Sequence, residues 1–369
     1  MLKKKIWLLN FSSSYTGGGL IRLLETAKWF DKTDGGNFII HQMAFKYLKD
    51  YSNKNFYYVV TQSRIKRLFN DGFYIKKILD VIGTPDVYFS YGIPVFFSIG
   101  KVNWFHISNA LSLITDKIDM PLLQRFKFIL LKKRIIQSLI HVQIVSGESE
   151  FSLNLIKTAS QKKYESVYCS VLPNGFNEYE LQKAQHIVND EEHYAITIGT
   201  FKYKKLSVAL RLFRILQKKD TKLKTFIIVG NKDDLPSDVR KDENVIVDIG
   251  TNRESLMHLL CNSKYYISAS QIENSSIATL EGLVFSKSVV LSDIPSHREL
   301  LKDLEFEELY VDGINELFLV ANLESNTLFP NVLSWEQATS MFYEILKRYS
   351  EFDSKRISKY SKEYSGPHK

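Results

Sequence analysis

Ile6-Trp7-Leu8-Leu9-Asn10-Phe11-Ser12-Ser13-Ser14-Tyr15-Thr16-Gly17-Gly18-Gly19-Leu20 is the stretch that decides the class of fold. The apolar run 6–9 is too short for a helix and reads as a buried strand. It ends in a polar, glycine-rich turn, and a helical pattern follows over 20–30. Strand, glycine turn and helix, in that order, open a doubly wound α/β unit built on a parallel sheet.

The same alternation continues outward from this opening. Further short strands are expected at 56–60, 87–90, 102–106 and 142–145, with helices at 63–69, 75–82 and 121–139. Asn174-Gly175 is a turn dipeptide, and the polar stretch 177–192 after it reads as the region joining two domains. Strands are then expected at 195–198, 225–229, 245–247, 265–268 and 288–291, with helices at 204–217, 253–260, 277–285 and 296–301. Two such runs predict two Rossmann-like doubly wound domains facing each other across a cleft, 1–176 and 177–334. Residues 335–369 add one more helix, over 335–349, and a polar tail. A chain of 369 residues is long enough for two domains with a core each.

Composition narrows the function. With 44% hydrophobic and 24% charged residues, the chain is neither disordered, collagen-like nor a coiled coil. The net charge of +8 is uneven: residues 1–172 hold 24 Lys and Arg against 12 Asp and Glu, and the remainder 25 against 29. A balance of +12 followed by −4 points to an anionic surface or substrate facing the first half. Two cysteines, Cys169 and Cys261, make neither a disulfide framework nor a zinc site and suit the cytoplasm. The apolar stretch near the start is too short for a signal peptide, and 126–140 is broken by Lys127, Lys132, Lys133 and Arg134, so it does not cross a bilayer. No basic–aromatic module points to nucleic acid.

The densest chemical signal is Ser268-Ala-Ser-Gln-Ile-Glu-Asn-Ser-Ser-Ile-Ala-Thr-Leu-Glu-Gly-Leu283. Asn274, Ser275 or Ser276 can cap a helix whose apolar stripe is Ile277, Leu280 and Val284. Glu281 falls on that stripe, where a carboxylate is costly unless something hydrogen-bonds it. Glu273 sits just before the cap, at the strand-to-helix edge where doubly wound sheets bind ligands. The free N–H groups of the helix start add an anion site. A solvated Glu273 and a Glu281 paired with a nearby lysine remain the plain structural alternative.

Glu273 and Glu281, separated by seven residues, resemble the paired-glutamate motif of retaining glycosyltransferases of the GT-B fold, family 4. The resemblance extends in order along the chain. It takes in the glycine loop 17–19, Val145-Ser-Gly-Glu-Ser-Glu-Phe151, Val171-Leu-Pro-Asn-Gly-Phe-Asn177, Ile198-Gly-Thr-Phe-Lys-Tyr-Lys-Lys205 and Ser288-Val-Val-Leu-Ser-Asp-Ile-Pro-Ser-His-Arg-Glu299. It implies a donor-binding second domain in which Glu281 holds the nucleotide ribose and Glu273 lies by the donor sugar. Lys205, six residues after Gly199, would grip the diphosphate, where a fixed cation stabilises the departing charge. Gly199, Thr200, Asn274, Ser275 and Ser276 complete the donor side. Thr200 departs from the family's usual arginine, and Lys202 or Lys204 is the candidate to take over its charge, as a point rather than a fork.

In the first domain the resemblance makes His106, at the end of a predicted strand, the candidate for transition-state contact or acceptor positioning. Gly17, Gly18 and Gly19 become an acceptor-side loop; a structural histidine and a plain flexible turn are the alternatives. The helix 121–140 carries an apolar stripe with a basic flank, suited either to anionic lipid or to the core with a solvated basic face.

The implied activity is metal-independent transfer of a hexose-type sugar from a nucleotide-sugar to an acceptor hydroxyl, with retained configuration. Cell-envelope polysaccharide or lipid-linked glycan synthesis is the expected setting, in the cytoplasm or on the inner face of the plasma membrane. No cofactor or metal is expected, since the chain has no D-x-D signature. A nucleotide-sugar 2-epimerase of the same architecture, and a catalytically degenerate binding or scaffold subunit, are the alternatives.

Overall fold

All four residues of β1 (Trp7–Asn10) are buried, as a central parallel strand covered on both faces requires. The computed structural model describes residues 5–61, 64–114, 122–160, 167–185, 193–311, 315–323 and 332–351. It divides into two units, Met1–Asn174 with Glu336–Lys369, and Gly175–Trp335. The division falls at Asn174/Gly175, two residues before the 176/177 boundary expected from sequence.

In the first unit β1 is followed by α1 (Gly17–Lys32), β2 (Asn37–His41), α2 (Gln42–Phe45), β3 (Phe56–Val60), α3 (Arg64–Ile82), β4 (Val87–Tyr91) and β5 (Val102–Ile107). Then come α4 (Leu122–Ser138), β6 (Ile144–Gly147), α5 (Glu150–Ser160) and β7 (Tyr168–Val171). The strands form one seven-stranded parallel sheet in the order β3-β2-β1-β4-β5-β6-β7. Alternate side chains of β1 feed two cores, one on each face. Trp7 and Leu9 pack with Phe30 of α1, whereas Leu8 packs with Ile75 and Ile78 of α3 and Ile135 of α4.

The second unit contains β8 (Gly175–Phe176), α6 (Glu178–Gln185), β9 (Tyr194–Ile198), α7 (Leu206–Lys219), β10 (Thr225–Val229), α8 (Ser237–Arg240), β11 (Val245–Asp248) and α9 (Arg253–Asn262). It continues through β12 (Tyr265–Ser268), α10 (Ile277–Phe285), β13 (Ser288–Ser292), α11 (Pro295–Leu301), β14 (Glu307–Val311), β15 (Glu316–Asn322) and β16 (Leu333–Ser334). Its sheet runs β11-β10-β9-β12-β13-β15-β14, parallel through β13 and closed by an antiparallel pair. Here too the sheet is covered on both faces, by α9 and α10 on one and α7 and α8 on the other.

The last helix, α12 (Trp335–Tyr349), sends Phe342, Tyr343 and Leu346 into the β1 core of the first unit. The Trp7 and Tyr343 rings meet edge to face at 5.4 Å, and Trp7 Nε1 donates to Ser350 Oγ at 2.7 Å.

Several expectations are corrected. The polar stretch 177–192, expected to join the two domains, contains helix α6 and its described part falls inside the second unit; residues 186–192 lie outside the described residues. The two helices expected at 63–69 and 75–82 are the single α3, because nothing stronger than Gly72 interrupts them. β2, α5, β7 and the β14–β15 pair were not expected. Gly17, Gly18 and Gly19 form the first turn of α1 rather than a loop before it. Gly17 has φ +57°, a left-handed value that favours glycine, and a Cβ there would meet nothing within 4 Å.

Candidate active site

The site in the second unit is built around the start of α10. Ser276 has extended backbone, and its side-chain oxygen accepts the Thr279 N–H at 3.3 Å, so Ser276 is the cap. Asn274 and Ser275 lie half-buried in the loop before it. The helix lies close on β12 because Gly282 faces the ring of Tyr266 with no side chain between.

Glu273 is 9% exposed. It accepts a hydrogen bond from Ser270 Oγ at 2.7 Å, and Lys204 Nζ stands 2.5 Å from its Oε1. Lys204 is itself buried, at the end of a short 3-10 turn, Lys202–Lys204. The lysine brought to the first glutamate is therefore Lys204. Lys205, in left-handed backbone with φ +47°, turns away and pairs with Glu316 of β15 at 2.5 Å. That one-residue change of direction comes from the turn, which no spacing rule resolves.

Gly199 takes φ +94°, which lets the chain leave β9 and enter this turn. Thr200 is buried with its methyl over Gly230, and its Oγ1 accepts the Asn231 N–H at 3.3 Å. Position 200 is a packing position here. His297 of α11 lies within electrostatic reach of Glu273 and Lys204; its Nδ1 is 2.8 Å from the Ser292 carbonyl oxygen. Burial holds its imidazole down to about 4, hence neutral at pH 7.

Glu281 is 3% exposed and forms an ion pair with Arg253, NH1 to Oε1 at 2.5 Å. Burial pushes its carboxyl up to about 7 even with Arg253 beside it. Arg253, at the start of α9, also clamps Glu180 of α6 through Nε at 3.0 Å and NH2 at 2.7 Å. A groove of about 660 Å³ runs beside this trio, lined by Asn177, Glu180, Asp248, Arg253, Ser255 and His258 among others. Each glutamate of the pair thus has its own cation. Arg253 and Glu180 were missed in the sequence, although an arginine in the first turn of a helix, against the macrodipole, is an available signal.

In the first unit, His106 of β5, at the end of its strand, is fully buried. Its Nδ1 lies 2.9 Å from Ser146 Oγ, and its ring stacks on Tyr91 at 4.9 Å. Tyr91 donates to Glu148 at 2.7 Å, while His106 Nε2 lies 3.8 Å from the same carboxylate. Burial lowers the His106 imidazole to about 4. As placed, His106 organises the inside of the sheet edge.

Comparison with known proteins agrees with this architecture. Residues 178–321 match the family described as Glycosyl transferases group 1. No curated protein matches the sequence. Among solved structures, the chain is similar to WaaG, a glycosyltransferase involved in lipopolysaccharide biosynthesis, at 10% identity over 97% of this chain and 95% of that one, TM-score 0.58. It is similar to Anabaena HepE, solved with UDP and glucose, at 10% identity over 97% and 95%, TM-score 0.55. A glycosyltransferase from Rickettsia africae is 13% identical over 98% and 93%, TM-score 0.54. The fold is GT-B, with two Rossmann-like units, and with the matched segment it defines the class: the protein is a glycosyltransferase. Its second unit contains the segment that matches the group 1 family.

Proposed function

We propose that the enzyme moves a hexose-type residue from a nucleotide-sugar, held by the second unit, to a hydroxyl of an acceptor bound by the first, with retained anomeric configuration and no metal ion. The observation that carries this reading is the pair of buried glutamates around the capped start of α10, each beside its own cation. Glu281 accepts from the ribose hydroxyls. Glu273 orients the sugar, and Lys204 with the free N–H groups of α10 stabilises charge on the leaving diphosphate. Lys205 joins that role only on leaving Glu316. Asn274 and Ser275 line the approach, and Gly199 and Thr200 shape the turn beneath it. The first-turn glycines 17–19 leave room for an acceptor to approach the backbone, and His106 supports that edge from within. The lack of a D-x-D signature in the sequence supports metal independence, and no cofactor is required by the chemistry.

We further propose a lipid-linked acceptor for a cell-envelope glycan, used at the cytoplasmic face of the plasma membrane. Its support is α4, where Leu122, Leu123 and Phe126 are 83%, 83% and 68% exposed beside Arg125 and Lys127. The core reading of this helix applies only to its later part, where Ile135 is buried. Apolar tips among cations suit an anionic bilayer surface. No described helix is long and apolar enough to cross a membrane. The likeness to WaaG in fold, and the UDP and glucose bound by HepE, fit the same reading.

Calorimetry with UDP-, GDP- and TDP-sugars tests the donor assignment. Binding of one of them, abolished by Glu281→Ala, is expected. Binding of none, or binding indifferent to Glu281, overturns it. Product NMR reads the anomeric outcome, and turnover in EDTA reads the metal requirement. Flotation with phosphatidylglycerol vesicles, lost on Leu122→Ser with Phe126→Ser, tests the membrane surface.

A further inference from the structure

Glu281 faces charge from two helices. Arg253 on α9 places NH1 2.5 Å from it, and uses Nε and NH2 to clamp both oxygens of Glu180 on α6, at 3.0, 3.0 and 2.7 Å. The guanidinium is thereby held by Glu180 through Nε and NH2, with NH1 left to form the ion pair with Glu281. On β12, Tyr266 is the remaining titratable neighbour, fully buried and neutral, its hydroxyl pushed above the usual range. β8 and β13, which also pack against α10, present no titratable side chain. Two acids therefore share one cation, with Glu281 buried on one side of it and Glu180 towards the groove on the other.

We infer that Arg253 is a positioning residue that favours the ionised form of the Glu281 carboxylate and aims it at the donor ribose, while Glu180 both braces Arg253 and draws on its charge. The inference rests on the donor reading above, because only a ribose hydroxyl needs Glu281 as an acceptor. It sets the pH range of donor binding through groups that do not touch the donor's reacting atoms.

The two partners act on Glu281 with opposite sign. Arg253 favours the carboxylate and Glu180 opposes it. Removing the cation, Arg253→Ala, must raise the pH at which Glu281 ionises; removing the competing charge, Glu180→Gln, must lower it. A role in packing alone moves neither, or moves both together. With the wild-type midpoint at about 7, an upward move of one pH unit cuts the ionised fraction at pH 7 from a half to roughly a tenth. Donor binding then weakens ~5-fold at pH 7 and recovers at pH 9.

The test uses carbon-13 carboxyl NMR of the full chain labelled on glutamate, the Glu281 resonance being assigned by its loss in Glu281→Gln. Calorimetric titrations with UDP and GDP between pH 5.5 and 9 run in parallel. The expected result is a midpoint raised in Arg253→Ala, raised less in Arg253→Lys and lowered in Glu180→Gln, with the nucleotide-binding profiles following. Unmoved midpoints, or shifts of the same sign in Arg253→Ala and Glu180→Gln, overturn the inference. If Arg253→Ala does not fold, the downward shift in Glu180→Gln still decides it. Opposed NMR midpoints without nucleotide binding in the wild type would instead defeat the donor reading and leave the charge coupling standing.

Discussion

Replacing Gly282 by alanine tests whether the close seat of α10 on its sheet sets the site. In an ordinary helix interior, glycine to alanine gains about 1 kcal/mol. At Gly282 the added Cβ would stand 2.2 Å from Cγ and 2.3 Å from Cδ1 of Tyr266, where normal contact begins at 3.4 Å. The gap must open by the difference, 1.2 Å. Tyr266 is a fully buried β12 residue with no free space to rotate into, so the helix is what moves. Overpacking of this kind costs about 1–3 kcal/mol, and the displacement here places it at the upper end. After the helix-propensity gain, a net loss of ~2 kcal/mol is expected, or roughly 4–8 °C in Tm for a unit of this size. Glu281 is the adjacent residue and moves with the helix, so nucleotide affinity falls as well. Gly19→Ala is the control: its Cβ would sit at 3.5 Å from Ser14, an ordinary contact, and the change should be within about 0.5 kcal/mol of neutral. Scanning calorimetry and nucleotide titration read both variants. A Gly282→Ala protein as stable as wild type, with unchanged affinity, refutes the reasoning.

Further outcomes follow from the same contacts. Lys204→Met leaves Glu273 buried without its cation and should lower stability by about 3–5 kcal/mol, most of it recovered by adding Glu273→Gln, as urea denaturation will report. Phe342→Ala removes a side chain whose ring centre lies 4.6 Å from Phe89 and 5.3 Å from Trp104. It should cost roughly 3–5 kcal/mol of first-unit stability in the same assay. His106 and His297 ionise near 4 in the fold, below their ordinary 6.5. Their contribution is whole above pH 6.5 and lost as pH falls towards 4, since the unfolded chain takes up the protons first. His106→Gln should therefore flatten stability against pH in that window. Glu281, raised from 4.5 to about 7, has the reverse sign: its contribution is whole below 4.5 and lost as pH rises through 7. Glu281→Gln should remove that decline.

The chain order of strands and helices was readable because apolar runs such as Phe226–Val229 and Val289–Leu291 have one viable fate, a strand covered on both faces. The less apolar Glu307–Val311 was missed, since an edge strand needs no such run. At the candidate site, the two glutamates stood out as acids at the end of a predicted strand and on an apolar helix stripe. Their partners did not. Lys204 and Lys205 are adjacent, and a left-handed φ at Lys205 sends one to Glu273 and the other to Glu316. Arg253 and Glu180 lie 73 residues apart in sequence and meet because α6 and α9 pack together.

The sequence by itself determined the architecture of two doubly wound units, the helix start around Ser276 and the two carboxylates beside it. These follow from short-range patterns of burial and capping, which local spacing records. Only the tertiary structure decided which cation each carboxylate meets, and that His106 is sealed beneath Tyr91. Pairing across helices depends on backbone turns and on which faces pack, and a side chain's neighbours at that range leave no periodic trace in the chain.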